Sequence, residues 1–213
     1  MNNENEKVRT ILKNTGAIIS NSHIVYTSGL HGDTYINKDA VYPHCSATGS
    51  LCQDIAKLFV GDAVQVVIAP AVGGVILSQW VAYHLTLMSD DEVLSVYADR
   101  GSDGGSFVIK RGYDRLIAGK NVLVVDDIIT TGRSGRKVVE AVRSHNGTVV
   151  GLGAICNRGK VSMADLGDVP KLEALLTLEL DSWDPNDCPL CKKGVPINTD
   201  VGRGRELPER QKR

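Results

Sequence analysis

No stretch of this 213-residue sequence approaches the roughly 20 uninterrupted apolar residues that a bilayer-crossing helix needs. The N-terminal "MNNENEKVRT" also lacks the apolar run after a basic start that marks a secretory signal. A chain that neither spans a membrane nor leaves the cell is expected. Charge of one sign is missing too. The 24 Lys and Arg against 25 Asp and Glu leave a formal charge of -1, which excludes a global electrostatic footprint for nucleic acid or for an anionic membrane. Nor is there a disulfide framework, because five cysteines are an odd number in a chain long enough to bury a full core. A reducing cytoplasm is the expected compartment. No internal repeat is present.

What is there is an alternation of apolar runs and helical periods. Val8, Ile11, Leu12, Ala17 and Ile18 predict a helix from Asn5 to about Ile19, weakened at Gly16. The segment from Ser22 to Pro43 predicts short strands around a Ser-Gly turn, and Ala47, Leu51, Ile55, Leu58 and Phe59 predict a helix over Ser46 to Val60. Beyond it, apolar strands at 63–69, 93–98, 121–125 and 148–156 alternate with helices at 75–85 and Ser134 to Ser144. Strands apolar throughout are covered on both faces, and strands alternating with helices of ten or so residues imply crossover units. The expected fold class is α/β, a parallel sheet flanked by helices. Four glycines between 101 and 112 predict a mobile loop leading into a hairpin around Lys110 to Gly112. The tail from Val195 to Arg213 is expected to lack regular structure.

The stretch with chemistry is "NVLVVDDIITTGRSG", Asn121 to Gly135. In an open parallel sheet, ligands lie beyond the carboxyl ends of the strands, so Asp126 and Asp127 are both expected on the ligand side. Thr130, Thr131, Gly132, Arg133, Ser134 and Gly135 form a turn whose N–H groups and following helix dipole make an anion cradle. Carboxylates would repel the phosphate held there, so they are assigned a different part of the ligand. A vicinal diol fits, because ionised carboxylates accept hydrogen bonds from both hydroxyls. A ribose 5-phosphate unit satisfies both halves. A plain strand-end turn with a helix cap is the alternative reading of the same residues. "GRSGRK" lacks the Walker spacing, and no G-x-G-x-x-G opens a helix after a first strand.

Hydrophobic run, two acids, hydrophobic pair and "TTGRSG" resemble the phosphoribosyl-pyrophosphate signature of the type I phosphoribosyltransferases, and further segments resemble the orotate enzymes of that family. "TSGLHGDTYINKD" (27–39) is similar to the segment over the orotate ring, with Ser28, Gly29, Tyr35 and Asn37 matching best; "APAVGGVIL" (69–77) resembles the pyrophosphate loop, with Gly73 and Gly74 as candidates. Arg158 follows the fifth strand where the family sets an arginine against the orotate carboxylate, a role that suits a guanidinium fork. The resemblance implies a phosphoribosyltransferase domain over 1–180 with an N-terminal hood of about 1–45, and a C-terminal extension over 181–213. It implies transfer from phosphoribosyl pyrophosphate to orotate, with Mg²⁺ accompanying the diphosphate, in a homodimer whose mobile loop reaches the neighbouring site. Arg100, with Lys110 or Arg111, would clamp the diphosphate, and Asp127 would sit at the reacting sugar. The loop departs from the family pattern: Gly101 follows Arg100 in place of a lysine, and the loop holds no histidine. Two other functions stay open on this reading, transfer to another base such as a purine, and a non-catalytic regulator that binds phosphoribosyl pyrophosphate. No added helix-turn-helix or basic face accompanies the chain to favour the regulator.

"DCPLCKKG" places Cys188 and Cys191 at knuckle spacing, as half of a zinc ribbon would. A tetrahedral site needs four ligands, and the other cysteines are Cys45, Cys52 and Cys156. The pair is read as a structural element for which Zn²⁺ is the candidate cation.

Overall fold

The structure, a computed structural model, describes residues 2–26 and 28–206. In chain order the elements are helix α1 (Asn2–Asn14); strands β1 (Ile18–Ile19), β2 (Ile24–Val25), β3 (His31–Gly32) and β4 (Tyr35–Ile36); helix α2 (Cys45–Phe59); β5 (Val66–Pro70); α3 (Gly74–Met88); β6 (Leu94–Arg100); β7 (Phe107–Val108); α4 (Tyr113–Ile117); β8 (Asn121–Ile129); α5 (Arg133–Ser144); β9 (Thr148–Asn157); β10 (Leu172–Thr177); and α6 (Pro189–Lys192). None of these helices is long and apolar enough to cross a membrane. The chain divides into two compact units, one of Met1–Val8 with His44–Leu178 and one of Arg9–Pro43 with Glu179–Arg213. Residues 9–43 of the segment read from sequence as a hood and the segment read as an extension thus belong to one unit.

In the larger unit a six-stranded sheet has the order β10-β9-β8-β5-β6-β7, parallel throughout except for β7, which runs antiparallel to β6. The α/β expectation holds. β5 is buried along its whole length and Val122, Leu123, Val124 and Val125 of β8 are fully buried, as strands covered on both faces must be. After β5 the chain adds β6 on one side and then returns to place β8 on the other. The strand order therefore reverses between β5 and β8, and the crevice outside their carboxyl ends is where such a sheet binds ligands.

The helix α2 lies close on β9 because that strand carries glycines. A Cβ at Gly153 would meet Ile55 Cγ2 and Phe59 Cε2, each at 2.9 Å, and a Cβ at Gly151 would meet Phe59 Cε1 at 2.7 Å. Phe59 is fully buried, and the Lys171 ammonium sits 4.7 Å from its ring centroid while pairing with Asp62 at 2.8 Å.

Four expectations are corrected. Helix α1 stops at Asn14, since Gly16 turns the chain with φ +70° and Ile18–Ile19 pair with Tyr35 and Ile36 as a strand. The hairpin lies between β6 and β7 with its turn at 101–106, while Lys110 to Gly112 lead into α4. β8 runs on through Ile129, so both acids sit within the strand and not after it. The tail is ordered as far as Glu206: Ile197 bridges to His23, Val201 is buried and 202–206 form a 3₁₀ turn. Residues 207–213 of that expected tail lie outside the described residues. β10, for which no element was expected, completes the sheet beside β9.

Replacing Phe59 by Ala removes the aromatic filling between α2 and β9 and is expected to cost about 3–5 kcal/mol of stability. Urea unfolding of the full chain checks this; a loss below about 1 kcal/mol would show that α2 does not depend on that contact.

Candidate functional site

β8 delivers its two carboxylates to opposite faces, because successive side chains of a strand alternate. Asp126 is half-buried and, with Ile128, lines a cavity of about 160 Å³ completed by Thr130, Thr131, Gly132, Arg133 and Ser134. Asp127 is 5% exposed, does not line this cavity, and accepts the Ile128 N–H on its Oδ1 at 2.7 Å. Of the two acids expected on the ligand side, Asp126 is thus the one that lines this cavity. Asp126 Oδ1 in turn accepts the Asp127 N–H at 2.9 Å.

The loop after β8 is held by glycine. Gly132 has φ +70°, and a Cβ there would lie 2.8 Å from Val161 Cγ1, so any larger residue would strain both backbone and packing. From Gly132 the helix α5 begins with no side-chain hydrogen bond at its cap. Its first-turn N–H groups point along the axis, where the positive end of the helix dipole favours an anion. Thr130, Thr131 and Arg133 are exposed at the same place and add hydroxyl and guanidinium donors. The cavity thus combines an anion seat with one carboxylate at its wall.

The neighbouring strand supplies the second loop. β5 ends at Pro70, and Gly73 caps α3, again with no side-chain hydrogen bond. Gly74 is required by packing, since its Cβ would meet that of Ala69 at 2.6 Å. By the strand order both glycines lie at the carboxyl edge next to the β8 loop, beside the point of reversal.

Arg158 is tied to the same edge. Its N–H donates to the Ile129 carbonyl at 2.8 Å, and at Gly159 a Cβ would lie 1.6 Å from the Thr130 oxygen, so only glycine lets the two loops touch. Asn157 closes the turn by donating to the Val161 carbonyl at 2.9 Å and accepting its N–H at 3.1 Å. Sequence reasoning passed over Asn157 and Gly159; an amide at a strand end with glycine two residues on was the available signal.

Arg100, Lys110 and Arg111 are exposed and none of them lines the cavity. The Arg100 guanidinium lies 5.6 Å from the Phe107 ring centroid, and that of Arg111 lies 5.4 Å from Tyr97 while pairing with Asp99 at 3.3 Å. The glycine-rich turn between β6 and β7 has an internal organiser, Asp103, whose Oδ1 accepts from the Gly105 N–H, the Ser106 N–H and the Ser106 hydroxyl, each at 2.9 Å. Those bonds, led by the Ser106 and Gly105 amides, hold its carboxyl at about 2, down from 3.8. Lys137 of α5 donates to the Gly105 carbonyl, so the turn rests on the helix whose N-terminus forms the anion seat.

Ser28 and Tyr35 belong to the other unit. There Gly29, at φ +87°, lets the chain reverse between Tyr26 and Leu30, the Leu30 N–H approaches the Ser28 hydroxyl at 3.4 Å, and Tyr35 pairs across to Ile19 in the β1/β4 ribbon.

Residues 47–175 match the model of the phosphoribosyl transferase domain. The orotate phosphoribosyltransferase of Pelotomaculum thermopropionicum is 41% identical over 191 residues, 90% of this chain and 94% of that one. That of Desulforamulus reducens is 39% identical over 191 residues, 90% of this chain and 93% of that one. The crystal structure of orotate phosphoribosyltransferase from Aeropyrum pernix superposes with a TM-score of 0.64 at 25% identity, covering 80% of this chain and 93% of that one.

The Asp103 network sets an expected acid response. A carboxyl held below its ordinary value contributes order that is complete above pH 3.8 and is lost as pH falls through about 2. Asp103→Ala should reproduce that loss at neutral pH, raising amide hydrogen exchange across 101–106 while leaving β8 and β9 protected. Unchanged exchange in the turn would show that Asp103 does not organise it.

Proposed function

The chain belongs to the phosphoribosyltransferase family, among its orotate phosphoribosyltransferases, and on that premise we propose that it transfers the 5-phosphoribosyl group of phosphoribosyl pyrophosphate to orotate, giving orotidine 5-phosphate and pyrophosphate. The observation that carries this reading is the cavity at the strand-order reversal, where Asp126 stands beside an uncapped helix N-terminus. An anion at the helix end and a diol on the carboxylate beside it would be two parts of one ribose 5-phosphate.

In this mechanism the 5-phosphate takes the N–H groups of the loop from Thr130 to Ser134, and Asp126 accepts hydrogen bonds from the ribose hydroxyls. Asp127 holds the strand backbone behind it through Ile128. The backbone at Gly73 and Gly74 receives the diphosphate, and Arg158 meets the orotate carboxylate through its guanidinium fork. The reaction breaks the C1–O bond to diphosphate through an oxocarbenium-like state, so these groups contribute by positioning and by opposing charge. Mg²⁺ bound with the diphosphate would supply charge neutralisation. The donor set suits it: the cavity offers one carboxylate and no all-protein cage, in keeping with an ion held chiefly by phosphate oxygens and water.

A homodimer belongs to the same proposal. The cations of the β6–β7 region, Arg100, Lys110 and Arg111, do not line the cavity of their own chain, and in the proposed dimer the same region of a second copy would supply them. The cytoplasm is the proposed compartment, consistent with five free thiols.

The deciding experiment incubates the protein with Mg²⁺, phosphoribosyl pyrophosphate and a panel of pyrimidine and purine bases while following pyrophosphate release. Release with orotate alone is expected; release with a purine, or none with any base despite binding of phosphoribosyl pyrophosphate, overturns the substrate or the activity. Asp126→Asn should weaken binding of phosphoribosyl pyrophosphate roughly 10- to 100-fold, the loss of charge-assisted hydrogen bonds worth about 1.5–3 kcal/mol. Asp127→Asn, which keeps an acceptor for the Ile128 amide, should weaken it less. Equal effects in calorimetry would show that strand parity does not decide which acid meets the sugar. Mixing inactive Arg100→Ala and Asp126→Asn chains should restore about a quarter of the activity after subunit exchange, since half the dimers then hold one intact site. No recovery from chains shown to exchange would place Arg100 in its own chain's site.

A further inference from the structure

The Cys188 and Cys191 pair has company. In the unit of Arg9–Pro43 and Glu179–Arg213, the imidazoles of His23 and His31 converge on the two thiols, and one ligand atom from each of the four residues lies within 4.8 Å of every other. His23, His31 and Cys188 are buried. The two histidines come together because β2 and β3 pair antiparallel, with Val25 opposite His31 and Ile24 opposite Gly32, which sets His23, the residue before β2, close to His31 of β3. The two cysteines come from a knuckle in which Cys188 caps α6 and Gly194, at φ +66°, closes the turn by donating its N–H to the Cys191 carbonyl at 2.9 Å.

We propose that His23, His31, Cys188 and Cys191 form a closed Cys₂His₂ site for one zinc ion that cross-links the N-terminal segment to the C-terminal extension. With Zn–N of about 2.0–2.1 Å and Zn–S of about 2.3 Å, a tetrahedron has N···S edges of roughly 3.6 Å and an N···N edge of roughly 3.3 Å. The N···S separations are 3.7 Å from Cys188 to His23 Nε2, 3.6 Å from Cys191 to His23 Nε2 and 3.3 Å from Cys191 to His31 Nδ1. His23 Nε2 and His31 Nδ1 stand 2.8 Å apart, so the rings need to part by about half an ångström to reach the tetrahedral edge. Both cysteines are free thiols and not a disulfide.

The surroundings of the histidines support a ligand role. His23 Nδ1 lies 2.7 Å from the Val195 carbonyl. A carbonyl can only accept, so the proton sits on Nδ1 and the Nε2 lone pair faces the thiols, the arrangement in which a metal-bound imidazole is oriented by its other nitrogen. The His23 backbone is strapped as well, its carbonyl accepting the Asn198 N–H at 2.7 Å. His31 exchanges two backbone bonds of 2.8 Å with Trp183. The His23 ring and the His31 backbone are thus pinned by residues of the extension. Four protein donors fill a tetrahedral ion without leaving room for water, which marks a structural site and not a catalytic one. Such a staple would add to the small apolar cluster that also joins the two segments, Ile24, Tyr26 and Val201 with Ile19 and Tyr35 packed against it.

The test uses the full chain, purified without a polyhistidine tag after growth with added zinc salt. Elemental analysis should find one zinc per chain, and X-ray absorption at the zinc edge should show two sulfur and two nitrogen neighbours. Cys191→Ser and His31→Ala should each lose most of the metal, while Cys45→Ser, outside the cluster, should keep it. Little or no zinc in the folded wild type, another metal in its place, or full zinc retained by both cluster variants overturns the proposal. Should the variants fail to fold, the wild-type absorption spectrum still decides, since a four-sulfur shell or one completed by water oxygens excludes these ligands.

Discussion

The structure depends on β8 being covered on both faces. A strand buried along Val122 to Val125 can carry no polar side chain until it emerges at the carboxyl edge of the sheet, so chemistry collects there. The same burial fixes the neighbours. β5 on one side and β9 on the other share the register that brings the Pro70–Gly74 turn, the Thr130–Ser134 loop and Arg158 to one edge. Small residues set the spacing: Gly151 and Gly153 admit Phe59, Gly74 admits Ala69, and Gly132 admits Val161.

Where apolar burial decides the structure, the sequence was readable. The runs at 63–69, 93–98, 121–125 and 148–156 became β5, β6, β8 and β9 within a few residues, and helices α2, α3 and α5 fell where their periods indicated. The strand-to-helix turn after β8 was equally legible, since Gly132, at φ +70°, leads straight into α5. What escaped was decided by polar side chains. Glycine density at 101–106 suggested mobility, but one aspartate gathers three donors and gives the turn a shape. The two acids looked equivalent as letters, yet strand parity separates them, and parity could not be assigned while the strand was taken to end at Val125.

The N-terminal and C-terminal segments show the same limit. Past α1 neither carries an apolar period of any length, so the one was read as short strands around a turn and the other as an unstructured tail. They combine because polar groups from one meet polar groups from the other: the Trp183 backbone with that of His31, the Val195 carbonyl with the His23 ring, and Asn198 with Ser22. Such pairings are invisible to hydrophobic patterning, which also hid two histidines eight residues apart as the companions of a distant cysteine pair.

Gly159 has a bearing on how this scaffold can be altered. Its missing side chain leaves room for the Thr130 carbonyl, so the wall beside the Thr130–Ser134 loop and the wall carrying Arg158 are one surface. A change that re-aims one of them shifts the other. A designer who moves the backbone at Arg158 would therefore disturb the Thr130–Ser134 loop as well, which makes simple replacement of side chains a safer route to altered chemistry than remodelling the loop.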